Sequence, residues 1–346
     1  MKHLVYLLIC LPILYMSCSD DNKSGGHGEL DYEGLYELRT EIQNRLDTAV
    51  VGIVDGTYPI ESYKSLEEAL ESLNAGISRA KAGDLILQFE VENYILAADK
   101  AIKLFDDSRI FTLPIGTPAE LFVNGIDSKG YIDFGSSQDY CGGPYFTVET
   151  WAKYDEGYIE FAFGSFISTF ISPIPYKGWT LHYWGVGNSL LRFSIGTDDS
   201  NPDLTLPTVA TPAPTNYGQW FHIAAVHDSG NKKLLVYING ELKGSTDLTA
   251  NMVVNSADDM RMWAFVEPKD KSRCISGYMK KFRIWNVAKS QNELQQLMES
   301  DVTGNENGLV CAWDFTEKPE NDEIIPDKTG KHSAKLVGIY KWKPVE

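Results

Sequence analysis

Three acids stand two apart in Glu29-Leu30-Asp31-Tyr32-Glu33. On a β-strand, residues two apart share a face. Such a run would aim its carboxylates into one cleft, at the separation a nucleophile and a general acid need for glycoside hydrolysis. Here, however, the run leads into a segment of helical period. On a helix, residues two apart diverge by about 200°, and acids collect in a first turn because they complement the helix dipole. These carboxylates are therefore expected not to converge. Glu149 and the pair Asp155-Glu156 lie among strand-like segments, but without the spacing of a catalytic pair. The six histidines and the cysteines show neither H-E-x-x-H nor C-x-x-C, and there is no Gly-x-Ser-x-Gly elbow and no phosphate-cradling loop. No cofactor is expected, with calcium at the acidic turns Asp198-Asp199 or Asp258-Asp259 left open.

The elements that would position any site are of two kinds. Leu35, Leu38, Ile42, Leu46 and Ile53 form one apolar stripe at three- and four-residue spacing. Leu66, Leu70, Leu73, Ile77 and Ala80 form a second, and Val91, Ile95, Ala98, Ile102 and Phe105 a third. Three one-sided helices bury their stripes against each other, which predicts a three-helix bundle over residues 30–107. Residues 108–120 hold two prolines and a glycine and read as a linker. From Leu121 the period changes to two. Trp220 to Gly240 is the clearest case: Phe221, Ile223 and Ala225 alternate with other apolar residues, Asp228-Ser229-Gly230-Asn231 turns the chain, and Leu234, Val236 and Ile238 precede the tight-turn pair Asn239-Gly240. A hairpin apolar on both faces belongs in a sheet covered on both sides. Further strands are expected at Tyr131–Phe134, Phe146–Trp151, Ile159–Phe163, Trp179–Trp184, Leu190–Ile195, Met260–Val266, Tyr278–Trp285, Leu309–Phe315 and Ala334–Ile339. With no helices interleaved, they predict an antiparallel sandwich over residues 121–346. One helix interrupts it, opened by the capping box Ser290-Gln291-Asn292-Glu293.

Three segments carry a resemblance. W-x-H-I-A-A-V followed by L-x-V-Y-I-N-G at the hairpin, Phe146-Thr147-Val148-Glu149-Thr150-Trp151-Ala152, and Gly277 to Asn286 with its F-R-I-W-N ending resemble laminin-G-like (concanavalin A-like) jelly-roll domains. Leu309-Val310-Cys311-Ala312-Trp313-Asp314-Phe315 follows in the expected order. The resemblance implies an all-β antiparallel jelly roll. It places Trp151, Trp220, Trp285 and Trp313 on buried core motifs and His222 as a packed, hydrogen-bonded core histidine. Members of this lineage include glucanases, whose acids stand on one strand, and lectins, some of which bind calcium. With no such acid run inside the sandwich, binding of an oligo- or polysaccharide without turnover is the expected activity. The alternatives are a glycoside hydrolase with a divergent carboxylate pair and a protein-binding adhesin or scaffold. Sugar rings present flat C–H faces that aromatic planes stack against. Among 8 tryptophans and 18 tyrosines, Tyr176, Trp184 and Trp263 stand outside the core motifs and are the candidate binding residues. Trp184 falls out of phase with Trp179, Leu181 and Tyr183, next to Gly185-Val186-Gly187 at a strand end.

Acids number 48 against 31 lysines and arginines, a net charge of −17. Such a surface repels phosphate backbones and excludes nucleic acid as the expected partner. Residues 1–17 read as a signal peptide: Lys2 and His3, then an apolar run from Leu4 to Met16 too short to span a bilayer. Tyr15-Met16-Ser17-Cys18 resembles a lipobox, with Tyr15 where a leucine is usual, and Ser19-Asp20-Asp21-Asn22 resembles the acidic export tag of Bacteroidetes surface lipoproteins. Cys18 is thus the expected lipidation site, residues 18–29 the tether, and the outer membrane, facing outward, the expected location, beside other envelope proteins of glycan uptake. The run Y-P-x-x-S-Y-x-x-L-x-x-A-L resembles the helical spacer modules of bacterial cell-surface glycan-processing proteins. Cys141, Cys274 and Cys311 allow at most one internal disulfide, and the sequence does not choose the pair.

Overall fold

The apolar stripes wind the N-terminal segment into α1 (Glu33–Thr48), α2 (Ile60–Ala82) and α3 (Gln88–Asp107). The computed structural model describes residues 32–84, 87–125, 130–154, 163–169, 176–184, 190–199, 201, 205–214, 218–252, 261–265, 275–321 and 324–345. The chain divides into two compact units, Met1–Asp47 with Leu66–Ala101, and Thr48–Ser65 with Ile102–Glu346. In the first unit Leu35, Leu38, Ile42, Leu73, Ile77, Val91 and Ala98 are buried. Gly76 admits the ring of Tyr94, which a Cβ there would meet at 2.9 Å. Ile53, expected to continue the first stripe, instead lies beyond the end of α1 and is 92% exposed. Its segment turns back through a bridge between Val51 and Tyr58, and Tyr58 stacks on Phe105 at 4.2 Å. No helix among the described residues is long and apolar enough to cross a membrane.

The second unit holds the strands β1 (Ala119–Asn124), β2 (Gly130–Ser136), β3 (Tyr145–Lys153), β4 (Phe163–Ser168), β5 (Trp179–Trp184), β6 (Leu190–Ile195), β7 (Thr208–Pro212), β8 (Phe221–Asp228), β9 (Lys233–Ile238), β10 (Glu241–Asp247), β11 (Arg261–Ala264) and β12 (Ser276–Trp285). After α4 (Gln291–Met298) come β13 (Leu309–Asp314), β14 (Ile325–Pro326), β15 (Ser333–Gly338) and β16 (Tyr340–Pro344). All pair antiparallel. The front sheet runs β10-β9-β8-β3-β12-β1-β16, with β13 also on β12; the back sheet runs β14-β15-β2-β11-β4-β5-β6-β7. Phe146, Val148, Ile223, Ala225, Phe282 and Ile284 from the front meet Phe134, Leu181, Tyr183, Leu191 and Phe193 from the back in one core. The fold is thus the antiparallel jelly-roll sandwich expected, preceded by three helices. Asn239 and Gly240 both take positive φ, 50° and 72°, the backbone of a two-residue turn whose twist matches its strands. Strand β1 begins at Ala119, inside the segment read as linker. The strand expected at Ile159–Phe163 lies outside the described residues except for Phe163, where β4 begins.

Candidate functional site

Alternation sorts the residues of β5 and β6. Trp179, Leu181, Tyr183, Leu191, Phe193 and Ile195 enter the core, so Thr180, His182, Trp184, Leu190, Arg192 and Ser194 fall on the outer face of the back sheet. Register pairs His182 with Arg192, Trp184 with Leu190 and Thr180 with Ser194. Ser194 Oγ lies 2.7 Å from Thr208 Oγ1 on the next strand. Thr180, His182 and Ser194 are buried, whereas Trp184, at the end of its strand, is 41% exposed. The Arg192 guanidinium lies over the Trp184 ring, 4.6 Å from its centroid, and the His182 ring meets the indole edge-on at 6.4 Å. Burial pulls the Arg192 pKa below its ordinary value.

Of the three candidate aromatics, Trp184 is thus an exposed platform. Tyr176 is half-buried ahead of the opposite end of β5, a strand of six residues and so roughly 17 Å long. Position 263 pairs with Asp133 and Ser168 on β11, two strands from β5; the side chain of Trp263 lies outside the described residues. The structure does not gather the three into one site. What it joins to Trp184 is Arg192, which sequence reading passed over. The signal was present, a cation on the polar phase of Leu190–Ile195, but only the register of β5 on β6 joins it to the indole.

A second polar cluster lies on the outer face of the front sheet, beneath α4 and the residues flanking it. Glu149 of β3 sits between β8 and β12 with its side chain wholly buried. His222 Nε2 donates to its Oε2 at 2.9 Å, while Trp285 Nε1 at 2.9 Å and Arg283 Nη1 at 3.3 Å donate to Oε1. Burial alone would raise the carboxyl's pKa. The hydrogen bond and charge from His222, the Arg283 guanidinium and the Trp285 indole outweigh it and hold the group below the usual carboxylate range. Arg283 also donates to the carbonyls of Leu297 at 3.1 Å and Ser300 at 2.9 Å, which ties the C-terminal end of α4 to the sheet. With both oxygens engaged and no path to solvent, Glu149 clamps α4 and offers no acid or base to a substrate. His222 is buried and hydrogen-bonded, as expected. Two of the four tryptophans expected in the core correct the reading. Trp285 and Trp313 are buried, but Trp151 and Trp220 are only half-buried. Both stand on the outward phase of their segments, each just before a buried residue (Ala152 and Phe221). Trp151 packs on His222 at 4.5 Å and Trp220 Nε1 donates to Glu120 at 2.9 Å.

Of the acidic run at 29–33, Glu33 opens α1 and residues 29–31 lie outside the described residues. Asp199 accepts from the Asn201 amide and the Thr249 hydroxyl, both at 2.8 Å, and these bonds lower its pKa. They tie its loop without leaving a cation's set of ligands. Among the described residues no group of three acidic, histidine or cysteine side chains could hold a metal; Asp258 and Asp259 lie outside them. Cys141 and Cys311 are buried free thiols, and burial pushes the Cys141 pKa up to about 11; Cys274 and Cys18 lie outside the described residues.

The family described as the concanavalin A-like lectin/glucanases superfamily matches residues 117–295. That is more than half of the chain, which therefore belongs to this superfamily. A domain of unknown function matches residues 32–109. No curated protein matches the chain. Among solved structures it is similar to a "putative carbohydrate binding protein" from Bacteroides ovatus, at 20% identity and a TM-score of 0.51, over 69% of this chain and 66% of that one, just under two thirds of its length. It is also similar to a heptameric SAP-like pentraxin from Limulus polyphemus, at 11% identity and a TM-score of 0.44, over 68% and 98% of the two chains. A third similar structure is the CBM40 of a Ruminococcus gnavus IT-sialidase bound to α2,3-sialyllactose, at 15% identity and a TM-score of 0.38, over 49% and 91%.

Proposed function

We propose that this chain binds carbohydrate without turning it over, on the outer face of the back sheet at Trp184. The carrying observation is Trp184 itself. It is a large aromatic left 41% exposed at a strand end and held in place by Arg192 and His182, on a fold whose superfamily is made of lectins and glucanases. An indole edged by polar groups suits a pyranose face, and a shallow platform gives weak binding, on the order of micromolar to millimolar. The glucanase branch of the superfamily needs two carboxylates facing one cleft. Glu149, the deepest-buried acid among the described residues of the sandwich, is consumed by its donors.

The same proposal holds the protein on the outer membrane through an acylated Cys18, with the helices as spacer (residues 30–107) and the sandwich (residues 121–346) presented outward to capture glycans. A small residue before the cysteine, the apolar run and the acidic tag support it.

A glycan array probed with Gly28–Glu346 tests the binding. Trp184→Ala is expected to weaken any hit about fivefold, in keeping with about 1 kcal/mol for an aromatic contact, while the melting temperature stays close to that of the unmodified protein. Retention of full affinity moves the site elsewhere. Release of reducing ends from a polysaccharide by the purified protein would make it a glycosidase instead. For the anchor, Cys18→Ala is expected to abolish labelling by a fatty-acid probe; unchanged labelling removes that part.

A further inference from the structure

We propose that the sugar taken at Trp184 is anionic, and that Arg192 is the group that pairs with its carboxylate or sulfate. This rests on the carbohydrate-binding reading and names the class of its ligand. Arg192 stands in the middle of β6, between His182 of β5 and Ala210 of β7. None of these cross-strand neighbours is acidic, and no carboxylate among the described residues lies within ion-pair distance of Arg192. Its Nε is buried with no hydrogen-bond partner.

That arrangement is unusual in this molecule. The other arginine inside a sheet of known side-chain surroundings, Arg283, is fully engaged by Glu149 and two backbone carbonyls. With 48 acids in the chain, a partner for Arg192 would be easy to supply if its role were structural. Instead the guanidinium lies over the Trp184 indole, 4.6 Å from its centroid. A guanidinium held against an aromatic ring keeps its planar fork ordered for two parallel hydrogen bonds to a carboxylate or sulfate. The remaining indole surface takes the sugar's C–H face. Aromatic platform and oriented cation, side by side and with no competing acid among the described residues, define a subsite for an acidic sugar residue.

The test uses the full chain, purified in detergent, against glycans in matched pairs. One pair is oligogalacturonate and its carboxyl-reduced neutral counterpart; the other is a sulfated galactan oligosaccharide and its desulfated form. Binding is expected to the acidic member of at least one pair and to weaken as sodium chloride is raised. Arg192→Gln is expected to lower that affinity at least about tenfold, and Arg192→Lys, which keeps the charge but not the fork, to recover part of it. The pair that responds tells carboxylate from sulfate. Equal binding of acidic and neutral members, or acidic binding indifferent both to salt and to Arg192→Gln, overturns this inference while leaving glycan binding intact. Should Arg192→Gln not fold, the salt dependence of the unmodified protein decides by itself. Failure to bind any glycan, acidic or neutral, overturns the carbohydrate reading and this inference with it.

Discussion

A carboxylate with no water around it stays charged only while its donors remain in place, and Glu149 has three from side chains on two neighbouring strands. Glu149→Gln leaves Arg283 buried against a neutral amide, and removing one partner of a buried pair costs about 3–5 kcal/mol. Urea unfolding at neutral pH is expected to show a loss of that size; a change under about 1 kcal/mol would show the charge to be dispensable. The pH dependence follows from the sign of the shift. Because the folded-state pKa lies below the ordinary 4.5, the contribution is fully present above about pH 4.5. It is lost as the pH falls from there through the folded-state value. The variant's stability should therefore decline less steeply than the unmodified protein's below about pH 4.5. At Trp184 the same scale reads differently. An exposed indole contributes little to folding, so its removal should be felt in binding and not in melting.

At the scale of elements, α4 is fixed at both ends by different means. Ser290 accepts from the Glu293 amide while the Glu293 carboxylate accepts from the Ser290 amide, and Arg283 donates to the carbonyls at the far end. Ser290→Ala should cost about 1 kcal/mol. It should speed hydrogen exchange of the α4 amides while those of β3 and β8 stay protected; uniform acceleration across the sheet would show that α4 unfolds only with the whole domain. This helix is legible in the sequence from its capping box, as are β5, β6, β8 and β9 from strict alternation. Strand β10 is not. Glu241–Asp247 has no apolar period, only Leu242 among polar residues, and lies exposed at the sheet edge. It forms because the Asn239-Gly240 turn delivers it to β9. The two polar clusters escape for a related reason. Glu149, His222 and Arg283 are 61 or more residues apart, as the numbers show, and Trp184 and Arg192 sit on separate strands. Phase places each on an outer face, but only register makes neighbours of them.

Across the whole molecule, the last strand closes on the first. β16 pairs with β1 so that Pro344 lies opposite Ala119. Lys343 of β16 bonds the carboxylate of Asp107 and donates to the Tyr278 hydroxyl at 2.8 Å. Asp107 and Lys343 are both mostly shielded, so their replacements should not add: a cycle of Asp107→Ala, Lys343→Ala and the double variant is expected to show a coupling of about 1–2 kcal/mol in urea. Strict additivity would mean the contact contributes nothing. The closure has a mechanical consequence. Tension reaching the sandwich along the chain from residue 118 pulls β1 lengthwise between β12 on one side and β16 on the other. The hydrogen bonds of both ladders run across the strand, so they share that load in shear and must fail together. Tension between Ala119 and Pro344, by contrast, would peel one ladder open a bond at a time. The proposed function, a glycan held at Trp184 against an anchor upstream of residue 118, would apply the first kind of force. The strand that receives the pull is the one held from both flanks.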